Sequence, residues 1–279
     1  MNENSPEPFD LIIEPRQSIR HFWRDLWKYR ELFYFLSWRD VLVQYKQTMV
    51  GVLWSILRPL LTMLVFTLIF GRLARLPAEG IPYPALVFCG MLPWHFFASA
   101  LSESSNSLVG NANLISKIYF PRLIIPVSTL LVGLVDFLIS FVILCGLLGW
   151  YGLWPDWHWL VLPFFLLLAC AAALGAGLWF AALNVKYRDF RYVIPFVVQF
   201  GLYISPVGFS STILPMKWRL IYAFNPMVGV IDGFRWALLG GRTVMNLSTL
   251  VISIVVSLIL LSSGLIHFRK MERGFADII

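Results

Sequence analysis

Long apolar runs alternate with short charged joints along this chain, and the runs have the length of membrane crossings. They cover residues 50–70, 85–101, 123–150, 160–183, 193–208 and 247–268. A helical crossing takes about 20 mostly apolar residues. The pattern therefore predicts an all-α polytopic fold with six transmembrane helices and both ends on one side. Lys and Arg are spread unevenly over the joints. Seven precede the first run, two lie in 102–122, three in 184–192 and three in the tail. The other side carries two in 71–84 and four in 209–246, and Arg58 lies inside the first run. The positive-inside rule then places both termini in the cytoplasm.

Three joints have structure of their own. Before the first run, Ile19, Phe22, Trp23, Leu26 and Trp27 share one helical face, beside a basic stripe of Arg16, Arg20, Arg24 and Lys28. An apolar, Trp-bearing face flanked by cations fits an amphipathic helix lying in the headgroup plane, either as a simple anchor or as a partner-docking element. Joint 102–122 is rich in Ser and Asn and ends near Pro121. Leu108, Ala112 and Ile115 give it the buried side of a short helix, and it is a candidate contact for a cytoplasmic partner. Joint 209–246 is too long for a turn, yet its apolar pieces 217–224 and 227–239 are too short to cross. Asn225-Pro226 ends one piece and starts the next, and Gly240-Gly241 ends the second. This predicts two short re-entrant helices on the outer side, with plain surface helices as the alternative.

Composition narrows the class. Of 279 residues, 59% are hydrophobic and 13% charged, against about 25% charged in a soluble domain, which excludes a soluble enzyme. The net charge of +7 suits anionic lipid or a membrane-bound anion, and no nucleic acid partner is expected. Cys89, Cys145 and Cys170 lie within apolar runs and lack metal-ligand spacing. No secretory signal is expected from the charged, aromatic first 47 residues. The organisation read is an interfacial segment 1–48, a six-span membrane domain 49–268 with the outer segment 209–246, and a cytoplasmic tail 269–279.

Polar residues inside the runs form arcs. Thr48, Gly51, Ser55, Arg58 and Thr62 share one face of the first run, and Thr129, Gly133, Asp136 and Ser140 one face of the third. Such arcs face a bundle interior or a water-filled path. Arg58 and Asp136 fall at similar depth, which leaves two readings: mutual neutralisation, or contact of Arg58 with an anionic substrate head. His95, in Pro93-Trp94-His95-Phe96-Phe97, lacks a partner at ligand spacing and reads as packing. Trp54, Phe66, Phe70, Tyr83, Trp94 and Phe97 are placed to line a path, or to serve as belt and core. Small residues recur four apart in the fourth run, as in Ala171 and Gly175 or Ala173 and Gly177. They predict close helix packing within the subunit or across a dimer. There is no phosphate-binding loop, H-E-x-x-H or G-x-S-x-G, so any ATP hydrolysis must come from another chain.

The ordered motifs Tyr45-Lys46-Gln47-Thr48, Gly51-Val52-Leu53-Trp54, Arg58-Pro59-Leu60, Gly90-Met91-Leu92-Pro93-Trp94-His95-Phe96-Phe97, Asn113-Leu114-Ile115 with Lys117, and Phe120-Pro121-Arg122 carry a family resemblance. It continues through Tyr187-Arg188-Asp189, Ser205-Pro206-Val207, Asn225-Pro226-Met227, Phe234-Arg235 and Glu272-Arg273-Gly274-Phe275-Ala276-Asp277. From about Trp38 to its end the chain resembles the membrane permease subunit of ATP-binding-cassette polysaccharide exporters, which serve O-antigen, capsule or teichoic acid.

The resemblance implies a six-span half-transporter of the bacterial inner membrane. It would form a homodimer on two copies of a separate ATPase, with ATP and Mg bound there and no cofactor in this chain. The implied cargo is undecaprenyl-pyrophosphate-linked polysaccharide, most simply O-antigen, moved among membrane lipids. The path candidates are Trp54, Arg58, Thr62, Phe66, Phe70, Trp94, Phe97 and Asp136. The ATPase-coupling candidates are Arg24, Lys28, Ser107, Asn111, Asn113, Lys117, Arg188 and Glu272. Rival readings are an exporter of smaller lipids or drugs, a membrane-embedded enzyme using His95, Asp136 or Glu103, and a secondary transporter, for which inverted-repeat halves are not evident.

Overall fold

A computed structural model describes residues 27–46 and 51–275, except the side chains at 51, 52, 54, 55, 216 and 273. The described residues are helical throughout their ordered elements: α1 (Arg30–Lys46), α2 (Gly51–Phe66, continuing as a π-helix over Thr67–Leu73), α3 (Tyr83–Gly110), α4 (Ala112–Lys117) and α5 (Ile124–Trp150). They continue with α6 (Leu162–Lys186), α7 (Phe190–Ile204), α8 (Met216–Tyr222), α9 (Pro226–Leu238) and α10 (Leu247–Met271). Five stretches are long and apolar enough to cross a bilayer: Ile56–Leu73, Tyr83–Gly110, Ile124–Trp150, Trp157–Lys186 and Leu247–Met271.

The fifth apolar run of the sequence behaves differently. A helix was expected over 193–208, but α7 has 15 residues and stops at Ile204. At 1.5 Å per residue this is about 22 Å, short of a hydrocarbon core of about 30 Å. Pro206 is the reason, because the residue before a proline is driven out of helical geometry, and Ser205 is extended. The backbone then passes through buried protein at 205–208, where its carbonyls need internal donors.

The central element is α3. From Ala85 to Trp94 every residue is buried, so this helix is apolar all round rather than striped. It packs against α2, α5, α6, α7 and α9. The sequence placed the end of its run at Leu101; the helix continues to Gly110, and the Ser- and Asn-rich joint supplies its last turns before the short α4. The large core holds Phe88, Phe96, Phe165 and Phe234. A second core joins Leu36 of α1, Leu108 of α3, Ile115 of α4, Leu178 of α6, Phe268 of α10 and Phe275 of the tail. The first and last described elements therefore meet at one end of the bundle, termed here the terminal pole.

Small residues bring α6 onto α10. A Cβ added at Gly264 would lie 2.4 Å from the carbonyl oxygen of Gly175, and one at Gly175 would lie 2.5 Å from the backbone of Leu260. Gly177 meets Ser104 of α3 equally closely. Of the two packing partners left open by the sequence, these contacts are within the subunit.

Local signals set the opposite pole. Asn225 caps α9 by accepting from the Met227 N–H at 3.0 Å, with Pro226 at the first helical position. Gly240 and Gly241, at φ of +63° and +71°, end it, since left-handed backbone is easiest for glycine. Almost all of α9 is buried, from Met227 to Arg235 without a break, and it packs on α3, α6 and α10.

Candidate functional site

The opposite pole is organised around one buried cation. Arg235 is 2% exposed. Its Nε donates to the carbonyl of Leu86 at 3.0 Å, Nη1 to that of Phe209 at 2.8 Å, and Nη2 to that of Val207 at 2.8 Å. The Tyr83 hydroxyl donates to the Gly208 carbonyl at 2.5 Å. These donors answer the irregular segment after α7, and they tie α9 to α3 and to the end of α7. Two carboxylates hold the next turn: Asp232 accepts from Ser211 Oγ at 2.6 Å, and Glu79 accepts from Ser210 Oγ at 2.6 Å and Thr212 Oγ1 at 2.7 Å. The sequence counted Arg235 as an outer-side charge; its helical position among apolar neighbours, Phe234 and Trp236, was the available sign that it is interior.

One side of the bundle is bare. Along α7 only Ile194 is buried, while Phe196, Phe200, Tyr203 and Ile204 are exposed. On α2, Leu53, Leu61, Leu64, Val65, Leu68 and Ile69 are exposed. Between the Leu73 end of α2 and the Ile204 end of α7, Phe66 meets Phe70 at 5.4 Å and stacks with Tyr203 at 6.5 Å. Gly208 is pressed on both phenyl rings, a Cβ there falling 2.8 Å from each.

The path candidates separate within this frame. Phe66 and Phe70 come together. Trp94 is buried against Gly201 of α7 and lies 5.5 Å from Phe97. Thr62 spends its hydroxyl on the Arg58 carbonyl at 2.8 Å. The side chain of Trp54 lies outside the described residues. Arg58 is exposed, and no ion pair joins it to Asp136: the ion pairs among the described residues are Arg39–Asp40 and His158–Asp156. Asp136 instead accepts from Gln44 Nε2 at 3.0 Å and from the Tyr45 hydroxyl. Neutralisation of Arg58 by Asp136 is therefore corrected, because α1 runs alongside α5 and reaches the carboxylate first. The contact of Ser37 Oγ with the Ser128 carbonyl at 3.5 Å sits eight residues earlier on both helices, so the two run parallel.

The coupling candidates among the described residues lie at the terminal pole. Lys28, Asn113, Lys117 and Arg188 are exposed. Ser107 is buried and donates to the Ser104 carbonyl at 2.7 Å. Asn111 donates to the Ser107 carbonyl at 2.9 Å and accepts from Arg39 Nη2 at 2.9 Å, which fastens α1 to the end of α3. Glu272 accepts from the backbone N–H of Arg122 at 2.9 Å, the Arg122 guanidinium donates to the Glu272 carbonyl, and Arg122 also stands over the Phe275 ring at 5.9 Å. Burial raises the Glu272 carboxyl above its ordinary pKa, opposed by the Arg122 N–H and by the charges of Arg122 and Arg269. Arg24 lies outside the described residues. Arg39, Tyr45 and Arg122 were not singled out as site residues from sequence, since each acts through a partner at least 70 positions away.

Nothing in these clusters resembles a nucleophile with its base, and no group of three or more His, Cys, Asp or Glu fit to hold a metal occurs among the described residues. It is comparison with known proteins that supports a transport role. A model of the ABC-2 type transporter family matches residues 31–239. The chain is 29% identical over 250 residues to an O-antigen export system permease protein, RfbA, of Klebsiella pneumoniae, covering 89% of this chain and 95% of the relative. It is 29% identical over 259 residues to the protein of the same name from Myxococcus xanthus, covering 92% and 98%. It is also 25% identical over 243 residues to the polysialic acid transport protein KpsM of Escherichia coli, covering 85% and 92%.

Proposed function

This chain belongs to the ABC-2 type transporter family, and from that premise we propose that it exports lipid-linked polysaccharide, O-antigen above all, as the transmembrane subunit of an ATP-driven machine. The carrying observation is the end-to-end similarity to O-antigen export permeases from two organisms. It is a transport subunit rather than an enzyme, and it works with a partner ATPase, which supplies the nucleotide and Mg. The weaker likeness to a polysialic acid transporter keeps capsular polymer as the second reading.

The mechanism follows from the two poles. Two copies pair through the bare faces of α2 and α7 and enclose a conduit between them, in the inner membrane with both termini cytoplasmic. The irregular segment after α7 completes a sixth crossing, and α8 and α9 dip back from the outer side as its gate. At the terminal pole α1, α4 and the tail share one core, so a push from the ATPase on the exposed α4 side reaches α3 and α5 together. Differential contacts in two states then move the outer ends of α2 and α7 apart. Tyr203 and Phe70, with the buried Phe66 behind them, form the aromatic surface on which sugar C–H faces slide.

Deletion of the gene with localisation of the glycan tests the function. Finished, lipid-attached polymer retained in the cytoplasm supports export; loss of all polymer synthesis overturns it. Cysteine pairs on α7, at Phe196 or Phe200, are expected to cross-link two copies in membranes.

A further inference from the structure

A guanidinium inside an apolar helix is costly unless an anion meets it, and Arg58 is such a charge. Its internal counter-ion by depth, Asp136, is bound by Gln44 and Tyr45. The described residues offer Arg58 no ion pair, and its side chain is exposed on α2. Arg58 stands 15 residues before the outer end of α2 at Leu73, and His95 stands 12 residues after the outer start of α3 at Tyr83. At 1.5 Å per residue these are about 22 and 18 Å of helix. Because α2 and α3 pack together and are joined by the outer joint 74–82, the two side chains lie at nearly one level, in the inner half of a bilayer. His95 is within electrostatic reach of Arg58. Its Nε2 is buried and has no hydrogen-bond partner among the described residues.

Resting on the export reading, we propose that Arg58 and His95 form an anion station for the phosphate groups of a pyrophosphate. Guanidinium binds such oxygens in pairs, and a neutral imidazole in the Nε2–H form adds one directed donor. Together they supply N–H groups to a tetrahedral oxyanion, which neutral sugars do not present. Phe66 and Phe70 lie two and three turns further out on the same helix, so the charged group and the sugar chain meet different parts of α2. The same chemistry could come from the carrier lipid's pyrophosphate or from free pyrophosphate.

The test uses the complex with its ATPase in phosphatidylcholine nanodiscs, with farnesyl pyrophosphate, inorganic pyrophosphate and farnesol as probes. Farnesyl pyrophosphate is expected to bind, and Arg58→Gln to weaken it about tenfold or more, as loss of a charge-assisted pair does. Arg58→Lys restores part of the affinity, and His95→Phe costs less than Arg58→Gln. Arg72→Gln, at the exposed outer end of α2, leaves binding unchanged, and farnesol responds to none of these changes. Stronger competition by farnesyl than by inorganic pyrophosphate identifies the lipid carrier as the ligand, and equal competition identifies the free anion. Should Arg58→Gln melt early, Arg58→Lys carries the test, with a several-fold loss expected. Unchanged farnesyl pyrophosphate affinity in folded Arg58 variants overturns the station. If polymer is exported while binding ignores Arg58, the station alone fails; if binding needs Arg58 but the wild-type complex moves no polymer, the export reading fails.

Discussion

Gly90 of α3 and Arg235 of α9 are in such close contact that a Cβ on Gly90 would stand 2.7 Å from Arg235 Nη2. The glycine leaves room for the guanidinium, and the guanidinium serves three carbonyls, that of Leu86 on α3 and those of Val207 and Phe209 after α7. Gly90→Ala is expected to destabilise by about 1–3 kcal/mol through overpacking. Arg235→Ala should cost more, since it leaves buried carbonyls without donors at about 1–3 kcal/mol each. Arg235→Lys should recover only part of that loss because an ammonium lacks the planar fork. Thermal unfolding of the purified protein in detergent checks the order; an Arg235→Ala protein as stable as wild type would refute the assignment.

The crossing of α6 and α10 at Gly175 and Gly264 makes a second prediction. Gly264→Val places a side chain where the Gly175 carbonyl already is, and helix separation should cost roughly 1–3 kcal/mol or prevent insertion. Gly146→Val on α5, where a Cβ meets nothing within 4 Å, should be close to neutral. Expression level and melting temperature distinguish the two.

Asp136 joins α1 to α5 rather than lining a charge pair with Arg58. Tyr45→Phe removes one donor to a carboxylate, worth about 1.5–3 kcal/mol, and Asp136→Asn removes the charge that both donors meet. Their effects should be non-additive, because they disrupt one interaction. Limited proteolysis within 30–46 should accelerate in either variant and no further in the double variant.

Glu272 gives a pH dependence with a defined sign. Its carboxyl is raised by burial, so the folded chain holds this proton more tightly than the unfolded one. The stabilisation linked to that proton is full below the unfolded pKa and is lost as pH rises through the raised folded value. Glu272→Gln keeps an oxygen acceptor for the Arg122 N–H and has no such proton. The melting temperature of wild type, relative to Glu272→Gln, should therefore fall as pH rises through the raised value; the opposite slope would show that Arg122 and Arg269 outweigh burial.

Much of this arrangement is written in local chemistry. The apolar runs predicted the long helices, and Asn225-Pro226 and Gly240-Gly241 predicted both ends of α9, because caps and breakers act within a few residues. The end of α7 was misjudged by run length alone, although Pro206 is a local sign that a helix stops. What local patterns did not carry is pairing across the chain. Depth along the runs pairs Arg58 with Asp136, yet Tyr45 lies 91 positions from Asp136 and occupies it. Likewise the glycines of α6 announced close packing, but only the fold chose α10 as the neighbour. Arg235 was legible as a charge and not as a buried staple, since two of its carbonyl partners follow the break after α7 and the third, Leu86, lies 149 positions away on α3.

The enclosure of α3 also bears on how the protein is made. Synthesis delivers this helix before α5, α6, α9 and α10 exist, and chains fold from the amino end as they emerge. The segment that finishes most hidden must therefore wait among lipid tails for its later companions. Its surface from Ala85 to Trp94 has to suit two solvents in turn, which accounts for a stretch without a single charged side chain.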